Sequence, residues 1–159
     1  MTLYLDASAL VKRYVAERGS REVIGLTASS EAIATSLISR AEVSAALARA
    51  VRLGVLGNRA GRRAQRKFSR EWPDLVRIPV SETLVSRAET LAWDHGLRGY
   101  DAVQLAAALA WQDWIGRDVT LATFDRQLWE SAPRAGLRVW PGKLTRDETN
   151  RQGASGRGR

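Results

Sequence analysis

The sequence predicts an α/β fold, a central parallel sheet of about five strands flanked by helices. Three observations carry that expectation. Short apolar runs of strand length alternate along the chain with longer segments of helical periodicity. No tight hairpin signal joins two such runs, so neighbouring strands connect through helices and run parallel. At 159 residues, with a hydrophobic share of 45% and a charged share of 26%, the chain has the size and composition of one globular domain.

Leu3-Tyr4-Leu5 reads as the first buried strand, followed by a helix over residues 8–17. Gly19-Ser20 breaks the chain before a second helix near 21–27, and 31–36 is the second strand. Ser39 is placed to cap a helix running to Leu53, with Glu42 three residues on as its capping-box partner. Gly54 and Gly57-Asn58 separate this from a helix over 59–72, which Pro73 ends. Residues 76–80 form the third strand. A helix from Ser81-Glu82 through Trp93 is broken at 96–99, which leaves His95 in a loop, and 101–114 is the most apolar helix of the set. Residues 119–123 are the fourth strand, 126–131 a short helix and 137–140 the last strand. The domain thus spans 1–140. Residues 141–159, polar and rich in Gly, Arg and Ser, are expected to form a disordered basic tail.

No apolar run approaches the roughly 20 residues of a membrane span, and the start lacks signal-peptide architecture. The absence of cysteine excludes disulfides and thiolate metal sites and suits a reducing cytosol. The expectation is a cytoplasmic protein without membrane contact.

Four carboxylates stand where the surrounding sequence asks for an apolar or neutral residue. Asp6 ends the first apolar run, Glu42 lies inside an alanine-rich stretch, Asp101 opens the apolar Ala102–Leu109 run, and Asp125 closes Val119–Phe124. Burying a carboxylate is costly unless it is paired or bound to a metal. Clustered carboxylates with no cysteine and one histidine suit a hard cation, Mg²⁺ or Mn²⁺. In open α/β sheets, sites form beyond the carboxyl ends of strands and at the helix starts that follow. Asp6 and Asp125 end strands, while Glu42 and Asp101 begin helices, so all four can reach one edge of the sheet. Each also has a local alternative: Asp6 or Asp125 as a helix N-cap, Glu42 as half of a capping box, Asp101 as an acid favoured by a helix dipole.

The net charge is +8, of which the stretch 141–159 carries +3 and the rest +5. A basic surface around an acidic site suits a polyanionic substrate held by a cation. In the helix after Gly57, Ala60, Ala64, Phe68 and Trp72 recur every four residues as an apolar stripe. Arg59, Arg62, Arg63, Arg66, Lys67 and Arg70 fall on the opposite side, a face suited to phosphate contact or simply to solvent. His95 reads as structural or solvated, and the six tryptophans read as packing at element ends.

The stretch from Leu3 to Lys12, with Asp6 and Ser8 at its centre, resembles the opening of PIN-domain proteins, particularly VapC-type toxins of type II toxin–antitoxin pairs. Ser39-Arg40-Ala41-Glu42 is similar to that family's second acidic motif, Tyr100-Asp101-Ala102-Val103-Gln104-Leu105-Ala106 to its third, and Ala122-Thr123-Phe124-Asp125-Arg126 to its fourth. The resemblance covers about residues 1–140 with no acid missing. It implies a PIN-like three-layer sandwich, Mg²⁺- or Mn²⁺-dependent endoribonuclease activity, and silencing by a cognate VapB-type antitoxin. It also implies a homodimer formed through the helices after the second strand, which would make the Ala60–Trp72 stripe a dimer surface.

On this reading Asp6 and Asp101 are the principal ligands, Glu42 and Asp125 complete the shell directly or through water, and Ser8 orients a water or the phosphate. The arginines of the basic face, Arg59, Arg62, Arg63, Arg66 and Arg70, would contact RNA. A haloacid-dehalogenase-like phosphatase wants a second Asp where Ser8 stands, and a receiver domain wants paired acids at the first strand. A non-catalytic RNA-binding or regulatory module on the same fold is the remaining alternative, disfavoured because clustered negative charge gains nothing in binding RNA alone.

Overall fold

The computed structural model, which describes residues 1–145, has the expected architecture. Five parallel strands form one sheet in the order β3-β2-β1-β4-β5: β1 (Thr2–Leu5), β2 (Ala32–Ser36), β3 (Val76–Ile78), β4 (Val119–Ala122) and β5 (Arg138–Trp140). β1 is central, with Leu3 opposite Ile33 on one side and Thr120 on the other. Its residues alternate between two cores, as the two-residue period of a strand demands. Tyr4 enters a cluster with α5 (Glu82–His95), α6 (Gly99–Ile115) and α7 (Arg126–Arg134). Leu3 and Leu5 enter another with α1 (Ala7–Leu10), α2 (Ser20–Ala28), α3 (Ser39–Arg52) and α4 (Asn58–Glu71). The result is a three-layer sandwich.

Several elements differ locally from expectation. The first helix is one turn, α1, tightening into a 3₁₀ turn over Val11–Arg13. Beyond it Tyr14 leaves the helix line and packs edge-on against Phe68, with ring centroids 5.2 Å apart. Ser39 is not a cap. Ile38 occupies that position with helical dihedrals and no side-chain bond, while Ser39 lies inside the first turn, fully buried. α5 extends through His95 and ends at Gly96, whose φ of 65° closes the helix in the left-handed region that favours glycine. Asp101 is therefore the third residue of α6, which begins at Gly99. Of the tryptophans, Trp72 and Trp111 are buried, but Trp93 and Trp114 are 90% and 62% exposed rather than packed.

The apolar stripe of α4 is also not a free surface. Ala64, Phe68 and Trp72 are buried in this chain's own core, Phe68 edge-on to Trp72 at 5.5 Å. The expected dimer contact through it is thereby corrected, because the cluster around Leu10, Val43 and Leu47 already consumes that surface. The chain keeps contact with the body beyond β5: the Trp129 indole donates to the Pro141 carbonyl at 2.7 Å, and Leu144 packs against the core. Residues 146–159, most of the expected disordered tail, lie outside the described residues. No described helix is long and apolar enough to cross a membrane.

Truncating Phe68 removes an aromatic from the centre of the second core. Phe68→Ala is expected to cost about 3–5 kcal/mol in denaturant unfolding. A variant that unfolds at the parent midpoint would contradict this packing.

Candidate active site

The switch point of the sheet lies between β1 and β4, where successive connections leave in opposite directions, and crevices open at the carboxyl ends of such strands. Asp6 follows β1 directly and is 4% exposed. It is the N-cap of α1, accepting from the Ala9 amide at 2.9 Å, so the capping alternative is real. It also does more than cap. The Ser8 hydroxyl donates to it at 2.7 Å and the Thr123 hydroxyl at 2.7 Å. Those two hydroxyls are themselves fixed, Ser8 accepting from the Phe124 amide and Thr123 from the Asp125 amide. The loop after β4 is thus tied to the loop after β1 through one carboxylate. Asp125 caps α7, accepting from the Leu128 amide at 2.9 Å.

Glu42 belongs to a second network. The buried Gln104 amide nitrogen donates to it at 2.7 Å and to the Ser39 hydroxyl at 2.9 Å, while the Gln104 carbonyl accepts from the Tyr4 phenol at 2.6 Å. The Thr35 hydroxyl stands 2.7 Å from both Ser39 Oγ and the Leu5 carbonyl. Ser39 thus anchors Gln104 instead of pairing with Glu42 in a capping box. The network joins β1, β2, α3 and α6 beneath the acids. Asp101, at 9% exposure, accepts no hydrogen bond among the described residues.

Burial and mutual repulsion act on the acids at this edge. Burial pushes the Asp6 carboxyl up to about 6 against the pull of its hydrogen bonds, and Asp125 adds to the rise. Burial, then Asp125 and Asp6, push Asp101 up to about 7, with Arg98 the opposing charge. Glu42 is raised by burial and by Asp101, against its bond from Gln104. The Tyr4 phenol is raised well above its ordinary value, mainly by burial and then by Asp6 and Glu42. Asp6, Glu42 and Asp101 each feel at least one other acid, and Arg98 opposes the rise at Asp101.

A hard cation fits this donor set. The ligands offered are oxygens alone, the negative charge is uncompensated, and the Asp101 carboxylate is buried without a donor, a placement that is costly as it stands. The acids are not gathered into a finished cage: among the described residues, no three Asp, Glu, His or Cys side chains stand together as a metal-holding group. Asp6 is turned onto its hydroxyl and amide donors and Glu42 onto Gln104, as expected of carboxylates that repel one another and have other partners. Sequence reasoning missed Thr123, Gln104 and Tyr4 as parts of the site. The available signal was Gln104, a lone polar side chain one turn after Asp101 in an Ala/Leu helix.

A parallel sheet in this order, with acids at its carboxyl edge, is a known arrangement. The PIN domain family matches residues 3–133, and the chain belongs to that family. Within it the chain is of the VapC type. Ribonuclease VapC45 of Mycobacterium tuberculosis (strain CDC 1551 / Oshkosh) and Ribonuclease VapC49 of M. tuberculosis (strain ATCC 25618 / H37Rv) are each 37% identical to it over 142 residues, covering 89% of this chain and 96% of the relative. Among solved structures, a toxin–antitoxin complex from Klebsiella pneumoniae superposes with a TM-score of 0.62 at 19% identity, over 91% of this chain and all of that one. FitAB bound to an IR36 DNA fragment gives 0.63 at 18%, over 87% and 94%. At such identities the structural likeness speaks to the fold.

The raised carboxyls carry a stability consequence. Their folded pKa values lie above the ordinary carboxylate range, so the fold favours their protonated forms. Their contribution is complete below about pH 4, is lost as pH rises from there to about 6–7, and returns as pH falls. Metal-free protein is expected to be more stable at pH 5.5 than at pH 8. Asp101→Asn, which keeps the volume and deletes the charge, is expected to stabilise the metal-free chain at pH 8 by about 1–3 kcal/mol. An Asn variant with the parent's pH profile would show that Asp101 is not held out of its ordinary range.

Proposed function

We propose that the chain is the toxic component of a toxin–antitoxin pair, an endoribonuclease that hydrolyses RNA phosphodiester bonds with Mg²⁺ or Mn²⁺. The observation that carries this is the cluster of uncompensated carboxylates at the sheet's carboxyl edge, in a chain 37% identical to two proteins named ribonucleases. Asp6 and Asp101 would hold the cation, with Glu42 and Asp125 completing the shell directly or through water. Held there, a cation would supply positive charge for the phosphate and would lower the pKa of a bound water. Ser8, already hydrogen-bonded to Asp6, orients the water or the phosphate, and Thr123 holds Asp6 in place. Gln104 fixes Glu42, and Tyr4 fixes Gln104.

The exposed face of α4 supports a role in RNA contact. Arg59, Arg62, Arg63, Arg66 and Arg70 are exposed, and none lies within ion-pair distance of an acid among the described residues. A cognate VapB-type antitoxin, a homodimer and a cytoplasmic location complete the proposal. The homodimer uses some surface other than the buried α4 stripe.

Asp101→Asn and Asp6→Asn should abolish RNA cleavage at saturating Mg²⁺ while the folded far-UV spectrum persists. Mn²⁺ should raise the melting temperature of the parent and not that of Asp101→Asn. Retained turnover in either variant, or a parent melt indifferent to Mn²⁺, would remove these residues as ligands. For the basic face, Arg62, Arg66 and Arg70 replaced together by Gln should leave turnover at saturating RNA intact but flatten the plot of log affinity against log salt. Each lost phosphate contact is worth somewhat under one unit of slope. A slope equal to the parent's, at unchanged mass in solution, would take RNA off this face.

A further inference from the structure

Two exposed side chains flank the acids, and the mechanism above uses neither. Arg98 is the N-cap residue of α6, three positions before Asp101, with an extended backbone (φ −64°, ψ 154°) and an exposed side chain. Tyr100, immediately before Asp101, is 54% exposed, whereas most of α6 from Ala102 to Leu109 is buried. Other exposed arginines beside acids have formed pairs: Arg87 with Asp113, Arg117 with Glu31 and Arg138 with Asp118. Arg98 makes no ion pair among the described residues; its first neighbour is the Tyr100 side chain, to which it hydrogen-bonds, and Asp101 and then Asp125 act on it by charge. It is a cation without a carboxylate ion pair, beside a cluster whose own charge repels a phosphate backbone.

We propose that Arg98 and Tyr100 hold one unpaired nucleotide of the RNA against the acids, the guanidinium on a phosphate flanking the scissile bond and the phenol ring stacked on a base. The inference deepens the function proposed above and rests on it. A guanidinium fork matches phosphate geometry, and α6, seventeen residues long, adds the partial positive charge of its N-terminus at the same place. An exposed tyrosine ring offers a stacking platform that accepts any base, but only one that is out of a duplex stack.

The test uses the full chain with Mg²⁺, a short single-stranded RNA, and the same strand annealed into a duplex. Arg98→Ala is expected to raise KM about tenfold with a smaller change in kcat. In the Asp101→Asn background it should reduce the salt slope of RNA binding by about 0.7, the loss of one single-strand phosphate contact. Arg98→Lys should restore that slope, an effect that neutralisation of Asp101 alone would not produce. Tyr100→Ala should weaken binding about tenfold and Tyr100→Phe should not, since the ring and not the hydroxyl does the stacking. The duplex should be cut far more slowly than the single strand.

A parent that cuts no RNA, or an Asp101→Asn variant that still cuts, overturns the proposed function and this inference with it. A parent that cuts, with Arg98→Ala and Tyr100→Ala matching it in KM and salt slope, overturns this inference alone. Equal rates on duplex and single strand remove the stacking role of Tyr100.

Discussion

The fold is organised around the cost of placing Asp6 at the end of its central strand. That position is almost dry, and a carboxylate there must be met by donors or lose its charge. The chain meets it with a hydroxyl two residues on, an amide three residues on, and a hydroxyl from the loop after the neighbouring strand. These bonds draw the ends of β1 and β4 together and fix where α1 and α7 begin. They do not fully compensate the charge, since burial still outweighs them. What is left over, together with the bare carboxylate of Asp101, leaves this edge of the sheet with excess negative charge.

The opposite edge is different in kind. There Arg117 meets Glu31 and Arg138 meets Asp118, so the charges cancel in exposed pairs that contribute little to stability. Running along the strands, the molecule passes from neutralised charge to excess negative charge. The basic face of α4, on the layer packed against Leu3 and Leu5, adds positive charge to one side. Excess positive charge and excess negative charge are thus built on separate elements. A change in one need not disturb the other.

The order of elements was legible because the apolar periods of strand and helix are unambiguous in this sequence, and the acids were legible because each interrupts an apolar run. Ser39 misled because the motif of a serine followed three residues later by a glutamate is local, while the partners that claim both side chains come from β2 and α6. The stripe of α4 announced an apolar face but not its occupant, which depends on how α3 and α4 close on the sheet. Thr123 carries no charge and looks ordinary until the fold places it under a carboxylate, whereas Gln104 stands out only as a lone polar side chain in an apolar helix. Trp93 and Trp114 show the converse: large apolar side chains whose exposure no periodicity signals.

The chain of hydrogen bonds from Tyr4 through Gln104 to Glu42, with Ser39 and Thr35 beside it, bears on how this protein can vary. Every member is the partner of another, and most are fully buried. Replacing one leaves its neighbour with a stranded donor or acceptor, so single exchanges are penalised out of proportion to the bond removed. Replacing two adjacent members with apolar residues of matching shape removes both demands at once, and the pair costs less than its parts. Divergence through this region therefore runs by coupled exchange, and the order in which substitutions arrive decides whether they are tolerated.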